Sequence, residues 1–291
     1  MSKNLPAQRE LSLPAYDGNR SLRDDMDIMS LPFFASEKGP AIRYMKAQID
    51  TEKDNAWVEI KGNDDGIATM WDKRVLIHIR TMIDQAIREG KEVSQTVTFA
   101  PYDFFRAIGS GTGKTEYRNF EKSLDRLQGT TVKSSVDTDE VRGRHGRSWI
   151  QSYDFIEAKT ARGTRRSGVR VTLSDWLFSK WMEEGKTLAV PPEYFKIKSG
   201  IEMRIYELCR KFVGHQRIPV RMNLALFHER LNASRGRALD VKYAIKRIHG
   251  KGGVLGYDII VEDHLPRTRA ERVMVRMWKK DPDGPRLVRS T

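Results

Sequence analysis

The 291-residue sequence holds a single cysteine, Cys209, so one chain can form neither a disulfide framework nor a cysteine zinc site. Cys209 lies in an apolar helical stretch, and a reducing compartment is the expectation. No run approaches the roughly 20 apolar residues of a membrane span, and the start, MSKNLPAQRE, lacks the apolar core of a secretory signal. A cytoplasmic protein without a membrane partner is expected. Histidine is sparse: His78, His145, His215, His228, His249 and His264 stand far apart, without the close spacing of a metal site. A nicking enzyme would want a His-x-His pair, whereas His78 is followed by Ile79 and Arg80. The expectation is therefore a non-enzyme, with no catalytic residues, no metal and no cofactor. Acidic residues are also in deficit. The 39 Asp and Glu face 52 Lys and Arg, a formal +13, which favours a polyanionic partner, nucleic acid before anionic lipid.

What is present suffices for a globular protein, since 39% apolar residues can fill a core and the length suits about two domains. Residues 1–65 are rich in Pro, Gly, Asp and Asn and read as a partly disordered N-terminal arm that either docks or remains mobile. Its one apolar patch, Ile28 to Phe34, is short and broken by Pro32. From Ile67 a short strand leads to Asp72, a candidate cap for a helix through Glu89 with Val75, Ile79, Met82, Ile83 and Ala86 at helical spacing. Val93 to Phe99 alternates as a strand, and Pro101 opens a short helix, PYDFFRAIG. After the turn at 109–113, a helix over 114–128 puts Tyr117, Phe120, Leu124 and Leu127 on one stripe. Lys114, Arg118, Lys122 and Arg126 line another. Two strand-like runs, 130–136 and 149–158, suggest a hairpin whose tip, DTDEVRGRHGR, carries Arg142, Arg144 and Arg147.

The order then recurs. Val169 to Leu173 reads as a strand, Ser174 caps DWLFSKWME, and Ser199 with Glu202 forms a capping box for a helix bearing Ile201, Ile205, Leu208 and Phe212. A helix over 221–232, the turn ASRG and a helix over 237–249, with Val241, Ala244, Ile245 and Ile248 inward, lead to strands at 254–262 and 272–278. The segment between those strands, DHLPRTRAE, carries Arg267 and Arg269. The expected fold class is α+β: tandem winged-helix (helix-turn-helix) domains with β-hairpin wings, over 66–165 and 166–280, before a disordered tail at 281–291.

An α-helix fits the major groove of DNA, and a helix-turn-helix holds one there by its apolar stripe. The groove-facing candidates are Lys114, Thr115, Arg118, Asn119 and Lys122 in the first unit, and Arg237, Lys242, Tyr243 and Lys246 in the second, flanked by Arg235 and Arg247. Arg142, Arg144, Arg147, Arg267 and Arg269 suit backbone or minor-groove contacts from hairpin tips. Any helix has a solvated face, but residues 196–251 hold 14 Lys and Arg against 4 Asp and Glu, more than such a face requires. Gly109 to Thr115, GSGTGKT, invites a phosphate-loop ATPase reading. The motif needs glycine at position 108, where isoleucine stands, and it should follow a strand rather than a helix. Trp176, Phe178, Trp181, Tyr153 and Phe155 are assigned to packing.

Three segments, DMDIMSLPFF (25–34), GIATMWDKRVLIHI (66–79) and PYDFFRAIGSGTGKTEYRNFEKSLDRLQGTTVKS (101–134), resemble the plasmid replication initiator protein A family, as does EYFKIKSGIEMRIYELCRKFVGHQ (193–216). The resemblance covers most of 25–278. It implies tandem winged-helix domains that bind direct repeats in double-stranded origin DNA, promote opening nearby, and recruit the host initiator and the replicative helicase. By similarity to related initiators it also implies active monomers and a homodimer that represses the protein's own gene. A dimeric transcriptional repressor would use the same helices on a palindrome.

Overall fold

Caps, prolines and positive-φ glycines set where this chain turns. The computed structural model describes residues 11–12, 21–37, 41–51, 54–135, 146–160, 163–183, 187–216, 218–231, 238–263 and 273–280. The N-terminal elements are β1 (Leu11–Ser12), β2 (Leu22–Asp25), α1 (Met26–Ser30), β3 (Tyr44–Thr51) and β4 (Asp54–Lys61). The middle of the chain forms α2 (Met70–Arg88), β5 (Thr96–Phe99), α3 (Pro101–Ala107), α4 (Lys114–Gly129), β6 (Thr131–Ser134), β7 (Ile150–Thr160) and β8 (Gly163–Leu173). Then come α5 (Asp175–Met182), β9 (Thr187–Val190), a 3-10 turn at Pro192–Lys196, α6 (Gly200–Phe212), β10 (Val220–Asn223), α7 (Leu224–Leu231), α8 (Ala238–Gly250), β11 (Tyr257–Asp263) and β12 (Val273–Lys279). The architecture is mixed α/β.

The order helix, strand, helix, helix, hairpin occurs twice, and in both copies the lone strand pairs with the second strand of the hairpin. Sheet orders are β1-β5-β8-β7 for the first and β10-β12-β11 for the second. Local chemistry explains the starts. The Thr69 hydroxyl accepts the Asp72 N–H while the Asp72 carboxylate accepts the Thr69 N–H at 2.8 Å, so α2 begins at Met70 and Thr69, not Asp72, is the cap. Pro101 occupies the first turn of α3, where no N–H is needed. Gly109, at φ +65°, turns the chain out of α3 toward α4.

Three expectations need correction. The hairpin drawn over 130–158 does not form: β6 pairs with β4 in the sheet β3-β4-β6, and β7 pairs with β8. The run 169–173, expected to open the second unit, is the return strand of the first hairpin, so a boundary at 165/166 would cut β8. Of the two fates open to the N-terminal arm, the described part of residues 21–65 takes docking, so partial disorder is not its state there. Leu22, Ile28, Met29, Phe33 and Phe34 are buried, with Phe34 stacked on Trp149 at 4.6 Å and Phe33 edge-on to it at 5.6 Å. Met26–Ser30 is helical despite its brevity, because the Asp25 carboxylate accepts the N–H groups of Asp27 and Ile28. The β3–β4 hairpin buries Met45, Ala47, Ile49, Ala56, Val58 and Ile60 on one face. Its period-two pattern was available in the sequence. The tail 281–291 lies outside the described residues.

Part of the positive charge is spent inside. Lys73 of α2 meets Asp24 of β2 and Glu207 of α6, each at 2.7 Å, with all three side chains nearly inaccessible. Glu207 also accepts the Tyr194 hydroxyl at 2.6 Å and Arg204 at 3.1 Å. Burial works against the charge on Lys73, but Asp24 and Glu207 outweigh it and its pKa is raised. Burial likewise pushes the Asp24 carboxyl up to about 6. Arg204 donates to the carbonyls of Met29 and Arg230, Arg210 to that of Ala189, and Arg74 to that of Ile197. Arg230 donates to the Ser30 carbonyl at 3.1 Å, so three of the fourteen cations counted over 196–251, Arg204, Arg210 and Arg230, are buried carbonyl caps.

Candidate nucleic-acid interface

The inner face of α4 is fixed from several sides. Phe120, Leu124 and Leu127 are buried, and Phe105 of α3 packs edge-on against Tyr117 at 4.9 Å and Phe120 at 5.7 Å. Tyr153 of β7 donates to Asp125 at 2.6 Å. Arg126, expected on the cationic face, instead turns inward and grips the buried Asp72 carboxylate through two bonds of 2.6 and 2.7 Å. Asp72 is thus both the capping-box partner of Thr69 at the start of α2 and the anchor of α4.

What remains outward is the predicted set. Lys114, Thr115, Arg118, Asn119 and Lys122 are all exposed. Arg118 and Lys122, four residues apart, stand directly opposite the buried stripe. The preceding helix adds Tyr102, 41% exposed, and exposed Arg106, which the sequence reading passed over because the aromatic-rich PYDFFRA looks like core throughout. At the start of α4 the Glu116 carboxylate accepts the Gly113 N–H at 3.1 Å. A phosphate cradle needs those N–H groups directed at the ligand, so here an acidic side chain occupies the position. The loop also follows α3 rather than a strand.

In the second repeat, α8 buries Val241, Ala244, Ile245 and Ile248 and leaves Tyr243, Lys246 and Arg247 exposed, with Lys242 half-buried at the edge. Leu239, 47% exposed, joins Tyr243, 62% exposed, on the outer face. Arg235 and Arg237 lie outside the described residues, as do Arg142, Arg144, Arg267 and Arg269.

Arg147 is described and is not on a hairpin tip. Its backbone bridges Val132, with N–H to carbonyl distances of 2.7 and 2.9 Å, and its guanidinium lies 6.0 Å from the Trp176 ring. The first hairpin instead joins β7 to β8, whose pairing runs out to Thr160 opposite Gly163, within the sequence KTARGTRR. A glycine inside a basic stretch between two alternating runs was the available signal.

Among the described residues no group of three or more His, Cys, Asp or Glu side chains could hold a metal. His78 is packed between Phe99 and Phe104, at 5.3 and 5.4 Å, and burial pushes its pKa down to about 3, so it is a neutral core residue. Burial raises the Cys209 thiol. No helix among the described residues is long and apolar enough to cross a membrane.

Comparison with known proteins agrees with this anatomy. A sequence profile described as "RPA: Replication initiator protein A" matches residues 23–254. A "Putative replication protein" of Wigglesworthia glossinidia brevipalpis is 28% identical over 201 residues, 68% of this chain and 70% of that protein. In fold, the chain is similar to a crystal structure of domains 2 and 3 of RctB, with TM-score 0.59 and 12% identity over 88% of this chain and 98% of that one. A second structure of those domains gives TM-score 0.52 and 16% identity over 85% and 95%. The profile match spans β2 to just beyond α8 and takes in both outward helices, and on that match the chain belongs to the replication initiator protein A family.

Proposed function

We propose that this protein initiates replication by binding repeated sites in double-stranded origin DNA through two winged-helix units, and that it opens the origin without hydrolysing nucleotide. Drawn from the strand pairing, the units span about 66–174 and 200–280, with residues 21–65 packed against them. The observation that carries the reading is the repeated order helix, strand, helix, helix, hairpin, whose third helix is held by its inner face and exposes cations outward in both copies. In the first unit Arg118, Asn119 and Lys122 face base edges, Lys114 and Thr115 lie at the groove edge, and Tyr102 and Arg106 approach the backbone. In the second, Tyr243 faces the bases from the groove, with Lys246, Lys242, Arg247, Arg235 and Arg237 beside it. Arg142, Arg144, Arg267 and Arg269 are proposed as backbone contacts, whereas Arg147 is reassigned to packing.

Two units bound to successive grooves bend the duplex and concentrate strain on weak neighbouring steps. Family resemblance further supports recruitment of a host initiator and replicative helicase in the cytoplasm, and a homodimer that represses its own gene. Footprinting of the DNA flanking the protein's own gene, with the salt dependence recorded, tests the reading. Protection of evenly spaced direct repeats supports it, a single palindrome favours a dimeric repressor, and salt-insensitive binding without a footprint refutes DNA recognition.

A further inference from the structure

The outward positions of α4 and α8 are geometrically equivalent but chemically different. On α4 the residues opposite the buried stripe are Arg118 and Lys122. On α8 the residues opposite Val241, Ala244, Ile245 and Ile248 are Leu239 and Tyr243, also four apart. A leucine and a tyrosine 47% and 62% exposed, on a helix whose other side is already packed, are left uncovered by the described residues. Exposed Lys246 and Arg247 stand beside them on the same helix, against one exposed carboxylate, Asp240, in its first turn, so the rim around the apolar pair is net cationic.

An apolar pair in a cationic rim fits one feature of a duplex. The phosphates supply the negative charge, and the thymine C5-methyl is the apolar group presented in the major groove. Residues four apart are about 6 Å apart along the helix axis, close to two base-pair steps of about 3.4 Å.

We infer that α8 reads thymine methyl groups through Leu239 and Tyr243, so that the DNA beneath the C-terminal unit must carry thymines about two steps apart, while α4 reads purine edges through Arg118 and Asn119. This rests on the DNA-binding reading above and divides the site into two chemically different halves. An arginine fork matches guanine O6 and N7 and an asparagine matches adenine N6 and N7, whereas neither leucine nor the tyrosine ring gains from those polar edges.

The test is uracil interference on the fragment protected by the full-length protein. Thymines are replaced sparsely by deoxyuridine, which deletes only the methyl, and bound and free populations are compared. Wild-type protein should disfavour deoxyuridine at one or two positions within one half of the site, by about fourfold per methyl, the effect of burying one such group. Leu239→Ala and Tyr243→Ala should each lose discrimination at one of those positions while still binding. Lys246→Ala should weaken binding to thymine and deoxyuridine probes alike. A protected site indifferent to deoxyuridine throughout, or discrimination that survives both alanine variants, overturns this inference and leaves the DNA-binding reading standing. A fragment with no protection removes both.

Discussion

Replacing Lys73 with methionine probes the join between the N-terminal segment and the two repeats. Its ammonium is the shared partner of two carboxylates at 2.7 Å, and none of the three side chains is more than 6% exposed. Methionine fills the volume but leaves the carboxylates facing one another in a dry site. Glu207 keeps the Tyr194 hydroxyl and Arg204, whereas Asp24 keeps the Asp25 N–H at 2.8 Å, so Asp24 bears the loss. Removing one partner of such a cluster costs about 3–5 kcal/mol, and that is the deficit expected at pH 8 by urea unfolding followed by far-ultraviolet circular dichroism. The deficit has a sign with pH. Burial already holds the Asp24 carboxyl up at about 6, and losing the lysine raises it further. A raised folded-state pKa adds stability as pH falls toward the unfolded value, so the deficit should narrow by about 1–3 kcal/mol between pH 8 and pH 5. Adding Asp24→Asn, which preserves an acceptor for the Asp25 N–H, should recover most of the loss at pH 8. A deficit below about 1 kcal/mol, or an equal deficit at both pH values, refutes the reasoning.

Other residues give independent checks. His78, buried and held near pKa 3, is protonated in the unfolded chain below about 6.5 but not in the folded one, so its burial costs stability as pH falls through that window. His78→Phe should therefore gain about 2 kcal/mol on wild type between pH 7 and pH 5, and parallel stability curves would refute this. Arg126→Ala should cost about 3 kcal/mol by stripping the buried Asp72 carboxylate of its partner. Lys122→Ala should leave stability within about 0.5 kcal/mol while lowering the salt slope of DNA binding by about one unit if it meets a phosphate. Equal behaviour of the two variants in urea titrations would contradict the inward turn of Arg126. A Cβ on Gly200 would lie 2.3 Å from the Ser36 carbonyl oxygen, so Gly200→Ala should destabilise by about 1–3 kcal/mol, and an unchanged urea midpoint would dispute that approach.

The sequence made the helices legible because their signals are local. The stripe of Phe120, Leu124 and Leu127, the proline at 101, the serine at 199 and the inward set on α8 each sit within a few residues of what they determine. Strand partners were misread because pairing is decided at a distance. Thr131 to Ser134 alternates equally well beside β4 or β7, and only the fold of residues 44–61, dismissed as an arm for their polar composition, makes β4 available. The same blindness affected charge. Arg126 and Lys122 are both cations on an amphipathic helix, and what separates them is Asp72, 54 positions away. Exposed residues along α4 could be named in advance, whereas the hairpin of β7 and β8 was lost with the pairing error.

The buried ions bear on the proposed activity through the spacing of the two reading helices. Arg126 ties α4 to α2, Lys73 and Glu207 tie α2 to α6, and α8 packs on α6. One path between the outward faces of α4 and α8 therefore runs through the first helix of each repeat, and its central link carries a buried ion cluster beside the apolar contacts. An apolar joint tolerates sliding, because burial is non-directional. A lysine held between two carboxylates at hydrogen-bond distance does not, since any shift leaves a charge unpaired in a low-dielectric interior. The resulting stiffness suits a protein that must meet successive grooves in fixed phase: strain from a mismatched spacing is then borne by the DNA, where bending and unstacking of weak steps absorb it.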